Sequence, residues 1–198
     1  IPFLIELAKR KVPVILSTGM ASSNDLDEAV KIFEKYNVED LSILHCISQY
    51  PAEFSRLNLL SINKLIDKYG DKYKIGYSDH SMGIHIPVAA VAMGAKVIEK
   101  HFTLDRSMEG PDHSASLTPD ELKLMIQSVR NIEKAFGDGI KIPSKSEIPN
   151  IVIARKSIVA KVDIEENEIL SIDNLTTKRP GTGISPMNWD QVIGEKAK

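Results

Sequence analysis

The chain has 198 residues, 42% of them hydrophobic and 26% charged, with a formal net charge of −2. That balance suits a soluble globular protein and gives no electrostatic footing for nucleic acid or an anionic membrane surface. The one cysteine, Cys46, excludes an intramolecular disulfide and a cysteine-rich zinc site and points to a reducing cytoplasm, and no apolar run approaches the ~20 residues that span a bilayer.

The first residue is Ile1 rather than methionine, and Pro2 to Lys11 have the pattern of an amphipathic helix that precedes a strand. Gln191 to Lys198 stop without a helix stop signal. The expectation is a segment of a longer protein. Val12 to Ser17 is β-rich and ends in Ser17-Thr18-Gly19-Met20. Ser23-Asn24-Asp25-Leu26 opens a helix, with Ser23 as expected N-cap and a stripe of Leu26, Ala29, Val30 and Phe33. Leu41 to Cys46 predicts a second strand, Ile47 to Leu57 a loop, and Leu59 to Tyr69 a second helix of this alternation. A third strand is expected over Tyr73 to Tyr77, a helix over Ile84 to Met93, and a fourth strand over Lys96 to His101. Thr118, Pro119 and Glu121 form a capping box with proline at the first helical position, and that helix runs to about Phe136.

Strand and helix thus alternate at intervals of about twenty to thirty residues, the pattern of βα units around a parallel sheet. Two closed forms compete: half of a (β/α)8 barrel, or a small doubly wound sheet. Four units are half the barrel count. From Gly137 the chain turns rich in Gly, Pro, Ser and Lys, which predicts a linker over 138–154 between a domain of residues 1–137 and a small one of 155–198. In the small domain Arg155 to Lys161 predicts a strand, Asp163 to Glu168 a charged turn, Ser171 to Leu175 a short helical turn, and Lys178 to Ile184 an irregular loop. So few residues are too small to fold well alone.

Gly76-Tyr77-Ser78-Asp79-His80 and Ile98-Glu99-Lys100-His101-Phe102 each end a predicted strand in an imidazole. Two imidazoles at the carboxyl ends of neighbouring parallel strands can share one mouth and hold a divalent ion with several positions open. Water, substrate oxygen or a carboxylate from Asp79, Glu99 or Asp112 would complete the shell. Mn²⁺, Mg²⁺, Co²⁺ and Zn²⁺ all suit such a mixed set. Ser17-Thr18-Gly19, Ser48 with Tyr50, and Ser78 follow successive strands, where hydroxyls and backbone N–H groups hold phosphate or carboxylate. Asp112, in Glu109-Gly110-Pro111-Asp112-His113, is a carboxylate for substrate hydroxyls or proton transfer. His45 and His113 are expected in structural roles, and Cys46 as a small buried residue.

These blocks, together with His45-Cys46, Tyr50-Pro51, Thr103 and Lys178-Arg179-Pro180-Gly181-Thr182-Gly183-Ile184, resemble the sialic acid synthases, in order and over nearly the whole chain. The resemblance implies the C-terminal half of a (β/α)8 TIM barrel, a linker, and part of a small antifreeze-like (SAF) domain. It implies a transferase that condenses phosphoenolpyruvate with the open-chain aldehyde of N-acetylmannosamine, or of a related 6-deoxy diacetamido sugar, releasing phosphate. A non-catalytic polysaccharide-associated relative is the competing expectation. The likeness makes His80 and His101 the ligands of a divalent metal, Mn²⁺ before Mg²⁺ or Co²⁺. Ser17, Ser48, Tyr50 and Ser78 match the phosphoenolpyruvate pocket or its edge, although many bacterial members carry Thr or Asn at Ser48. Asp112 and Tyr50 match positions facing the sugar, and Asp112, Tyr50 and Glu99 form the catalytic set. Arg179 matches an arginine that the small domain delivers to a partner subunit in a domain-swapped homodimer. The family also uses lysines and a glutamate from its first four strands. None is supplied by these residues, so the chain alone is expected to be inactive.

Overall fold

The computed structural model describes residues 1–198. The chain divides into two compact units, Ile1–Gly137 and Asp138–Lys198. The first runs α1 (Pro2–Lys9), β1 (Val14–Ser17), α2 (Ser23–Lys35), β2 (Leu41–Cys46), α3 (Leu60–Tyr69), β3 (Lys74–Asp79), α4 (His85–Ala92), β4 (Val97–Lys100) and α5 (Pro119–Ala135). The four strands form one parallel sheet in the order β1-β2-β3-β4.

That order settles the choice between the two α/β forms. A doubly wound sheet reverses its strand order at a switch point and carries helices on both faces. Here the order never reverses, and the core lies on one side. Ala8 from α1, Leu26, Val30 and Phe33 from α2, Ile62 from α3 and Ala90 from α4 cluster with Val14, Leu41, Ile43, Ile75 and Tyr77 of the strands. Successive strand residues face opposite sides of a sheet, so the alternate set, with Ile15, Ser17, Cys46, Ser78 and Glu99, lies on the other face. Ile15 there is 61% exposed. The sheet is half of a barrel, with helices outside and the alternate side chains on its inner face.

Local chemistry sets the helix ends. The N-cap of α2 is Ser22, one residue before the expected Ser23. Asp25 accepts from the Ser22 backbone N–H at 2.8 Å and from its hydroxyl at 2.5 Å, so the capping box is built on Ser22 and Asp25. These bonds hold the Asp25 carboxyl below its usual range. The expected box at α5 is present: Glu121 accepts from the Thr118 N–H at 2.9 Å, and its carboxylate is paired to Arg106. β3 runs two residues beyond the expected end, to Asp79, because Ser78 and Asp79 pair in register with Glu99 and Lys100.

In the second unit, residues 148–154 form a helix, α6 (Ile148–Ala154), inside the stretch expected as linker. Pro149 lies in its first turn, where a missing N–H costs no helical bond. Strand β5 (Ser157–Ala160) pairs antiparallel with β6 (Leu175–Lys178), and α7 (Trp189–Val192) follows. The turn expected over Ser171 to Leu175 is present, closed by the Leu175 N–H on the Ser171 carbonyl at 3.0 Å, whereas Lys178, expected to begin a loop, ends the strand that follows. Asn174 Oδ1 accepts from the Ser171 N–H at 2.7 Å and closes a turn, leaving Leu175 to Lys178 free to join the ladder.

Gly76 lies where β3 is closely embraced. A Cβ there would sit 2.4 Å from the Val97 carbonyl oxygen and 2.5 Å from Leu44 Cδ2. The oxygen belongs to backbone and cannot turn away. Gly76→Ala is expected to destabilise the protein by about 1–3 kcal/mol through overpacking, read as a lower denaturant midpoint with an unchanged slope.

Candidate active site

At the carboxyl ends of β3 and β4 the parallel register sets a ladder of cross-strand pairs. Ser78 lies opposite Glu99 and Asp79 opposite Lys100; His80 and His101 come next. Alternation divides the ladder between the two faces of the sheet. Ser78, Glu99, His80 and His101 line one pocket of about 340 Å³, with Ser17, Gly19, Cys46, Ser48 and Tyr50. Asp79 and Lys100 are directed to the helix side, where their buried ion pair measures 2.6 Å.

Inside the pocket Ser78, Glu99 and His80 have definite partners. The Ser78 hydroxyl donates to Glu99 at 2.6 Å. His80 Nδ1 lies 2.8 Å from the carbonyl oxygen of Ile47. A carbonyl only accepts, so Nδ1 carries the proton and the Nε2 lone pair is left free. His101 Nδ1 lies 3.7 Å from an Asp112 carboxylate oxygen, too far for a hydrogen bond, so Asp112 is a neighbour of the ring and does not set its tautomer. The two rings stand edge to face with centroids 5.1 Å apart. Tyr50 covers both, its ring centred 4.1 Å from that of His80 and 5.5 Å from that of His101. Its phenol is held above the usual tyrosine range, first by desolvation and then by Cys46, Asp112 and Glu99.

The donor set fits a metal of the open, catalytic kind. No three His, Cys, Asp or Glu side chains gather into a ready-made cluster. Two imidazoles on one wall, that of His80 held through Nδ1 by the Ile47 carbonyl, leave the remaining positions to water or substrate oxygen. A larger groove of about 550 Å³, lined by Val91, Ile98, Met125 and Phe136 among others, lacks such a convergent polar set.

The geometry sorts the remaining expectations. Ser17, Ser48, Tyr50, Ser78, His80, Glu99 and His101 share the pocket, and Asp112 reaches His101 at its edge. Asp79 does not belong to the set: adjacent residues of a strand face opposite sides, so it cannot accompany His80. His45 is structural, with Nε2 2.8 Å from the Leu57 carbonyl oxygen, and His113 Nδ1 lies 2.7 Å from Thr103 Oγ1. Arg179 lies in the second unit, where its Nε donates to the Ala154 carbonyl at 2.9 Å.

Two residues that the motifs include, Cys46 and Gly19, also shape the pocket itself. Cys46 is buried, as expected, but its sulfur forms part of the pocket wall 3.8 Å from His80 Nδ1. Gly19 supplies clearance, since a Cβ there would fall 2.1 Å from Ser48 Oγ. Strand alternation from Leu41 would have placed Cys46 on the inner face; nothing in the sequence signals the Gly19 contact.

The NeuB family model matches residues 1–141, and the SAF domain model residues 155–198. The chain belongs to the NeuB family. It is 51% identical, over its whole length, to the N,N'-diacetyllegionaminic acid synthase of Campylobacter jejuni, covering 59% of that protein. It is 42% identical over 98% of its length to a pseudaminic acid synthase of the same species, covering 56% of that protein. A crystal structure of the N-acetylneuraminic acid (sialic acid) synthetase of Leptospira borgpetersenii, in complex with citrate, superimposes with a TM-score of 0.69 at 42% identity. That match covers 76% of this chain and 52% of the other.

The raised Tyr50 phenol gives a direct test of the pocket. In an ultraviolet pH titration, the phenolate signal missing from Tyr50→Phe is expected to develop above the ordinary tyrosine midpoint of about 10. A signal centred at or below that value would contradict the described packing.

Proposed function

We propose that the protein carrying this chain is a nonulosonic acid synthase, a transferase that joins phosphoenolpyruvate to the open-chain aldehyde of an N-acetylated amino sugar and releases phosphate. What carries the reading is one arrangement in a member of the NeuB family: two strand-end imidazoles, that of His80 with its Nε2 free, in a pocket lined by hydroxyls and a carboxylate. In the reaction C3 of phosphoenolpyruvate bonds to the aldehyde carbon, water adds at C2, and phosphate departs from C2.

His80 and His101 hold a divalent cation, Mn²⁺ before Mg²⁺ or Co²⁺. When bound, it supplies Lewis-acid polarisation of the aldehyde oxygen. The hydroxyls of Ser17 and Ser48 donate to the phosphoenolpyruvate oxyanions, while Ser78, whose one proton goes to Glu99, lines the pocket beside them. Glu99 holds the Ser78 hydroxyl in place and can take a proton from water at the pocket floor. Tyr50 walls the imidazoles and, with its phenol protonated at neutral pH, donates to a substrate oxygen. Asp112 lies beside His101 at the pocket edge and accepts from a sugar hydroxyl. Arg179 serves the active site of the partner subunit in a domain-swapped homodimer, and the protein works in the cytoplasm.

Between the two sugars, the relative that is 51% identical favours the diacetamido one, because its product name carries two N-acetyl groups. The likeness to a sialic acid synthetase structure keeps N-acetylmannosamine as the second reading.

Phosphate release from phosphoenolpyruvate with Mn²⁺, measured on the full-length protein against both sugars, tests the proposal. Turnover is expected with the diacetamido sugar. His80→Ala is expected to lower it by about 100-fold or more, the scale on which removing one charge-stabilising group acts. No turnover with either sugar would refute the synthase reading, and full activity in His80→Ala the ligand assignment. The 198-residue chain by itself is expected to release no phosphate, because it supplies none of the lysines and glutamate assigned to the first four strands.

A further inference from the structure

Beneath the two imidazoles, on the helix side of the sheet, lies a polar cluster that the proposed chemistry does not use. Asp79 has no exposed side-chain surface and Lys100 only 3%. Lys100 Nζ donates to Asp79 Oδ2 at 2.6 Å and also to the Ser81 carbonyl oxygen. Asp79 Oδ1 accepts from the Ser81 N–H at 2.9 Å. Both members immediately precede a histidine of the pocket, and Ser81 follows one. The hydroxyls of Tyr77 and Ser81 are buried with no hydrogen-bond partner, and Tyr77's phenol is held far above its usual range, by burial first and then by Asp79.

An ion pair so fully buried is weak evidence for stability, since well-packed apolar side chains do as well or better there. Its placement suggests another use. Residues 79 and 81 are pinned on either side of His80, whose own carbonyl accepts from the Ala52 N–H at 2.9 Å. Lys100 is pinned beside His101, whose carbonyl accepts from the Leu117 N–H at 2.9 Å. The cross-strand charge pair ties the two backbones together one residue before each imidazole. It also lies on the opposite face, so it neither competes for a metal nor narrows the pocket.

We propose that Asp79 and Lys100 are positioning residues, a buried clamp that sets the separation and aim of His80 and His101 before any ligand arrives. The proposal rests on the reading of these histidines as metal ligands. Small errors in such a support shell are costly, because ligands must be held to within about 0.5 Å of their working geometry.

The test is Mn²⁺ binding to the full-length protein, by calorimetry and by electron paramagnetic resonance, without substrate. Lys100→Met alone strands a buried carboxylate and can unfold the protein. The decisive variant is therefore Asp79→Asn with Lys100→Met, which removes both charges and keeps the volume. It is expected to keep the parental melting temperature within a few degrees while Mn²⁺ affinity falls at least about tenfold, the scale of outer-shell losses. Parental affinity in the folded double variant would show that the clamp is structural only. A second measurement needs no variant: in the metal-free parent, NMR relaxation should find the His80 and His101 rings as ordered as the sheet. Mobile rings would overturn the clamp. Absence of Mn²⁺ binding by the parent, already at the level of His80→Ala, would instead sink the metal reading and the clamp with it.

Discussion

The register of β3 against β4 is the constraint on which the pocket depends. Parallel pairing sets Ser78 beside Glu99 and Asp79 beside Lys100, so the residues that follow, His80 and His101, emerge together. The two-residue period of a strand then does the sorting. Hydroxyl, carboxylate and imidazoles fall on the inner face, and the charge pair falls on the helix face. A slip of one residue in either strand would exchange its two sets and bury an imidazole where a member of the charge pair now sits. The close approach of β3 at Gly76 to the Val97 backbone and the Leu44 side chain makes that slip costly.

The inner and outer faces of the sheet do different work. Outside, Val14, Ile43, Ile75 and Tyr77 pack against four helices, and the apolar area they remove from water is the main stabilising term of the first unit. Inside, near the carboxyl ends, the side chains are small or polar and leave space. Ser17, Cys46, Ser48 and Ser78 carry a hydroxyl or thiol on short stems, and Gly19 carries no side chain at all. Loops after the strands then bring in the larger groups. Tyr50 covers the imidazoles from the loop after β2, and Asp112 reaches His101 from the loop after β4. Rigid strand ends bearing the metal-type donors, with loops bearing the rest, match the division of labour common at this face of barrels.

The second unit gains its order differently. Its two strands are four residues each, and much of its cohesion comes from hydrogen bonds that tie the loop after β6 to β5. Ser157 Oγ donates to the Pro180 carbonyl at 2.7 Å and accepts from the Gly183 N–H at 2.8 Å, while Ile158 N–H donates to the Ile184 carbonyl at 2.8 Å. Arg179 is anchored within this framework through Nε, with the rest of its guanidinium exposed. A loop held by its own backbone can present a cation without a large core beneath it.

Much of the first unit was legible beforehand, for physical reasons that differ by element. The alternation of β-branched runs with 3.6-period stripes was visible because each element has one face to bury. The box at Thr118 and Glu121 was visible because capping is local chemistry. The second strand of the small unit was not, because Leu175 to Lys178 follow a turn whose closure depends on Asn174. Nor was α6, because a proline in its first turn resembles the punctuation of a linker. What the sequence alone determined was which side chains lie at strand ends, and therefore that two imidazoles and several hydroxyls would share one mouth. Tertiary structure decided the partners: that Asp79 turns away to Lys100, that His80 is fixed through Ile47, and that Gly19 makes room for Ser48. Those contacts join residues about 20 to 30 positions apart, and their distances follow from how strands and helices pack rather than from any local preference.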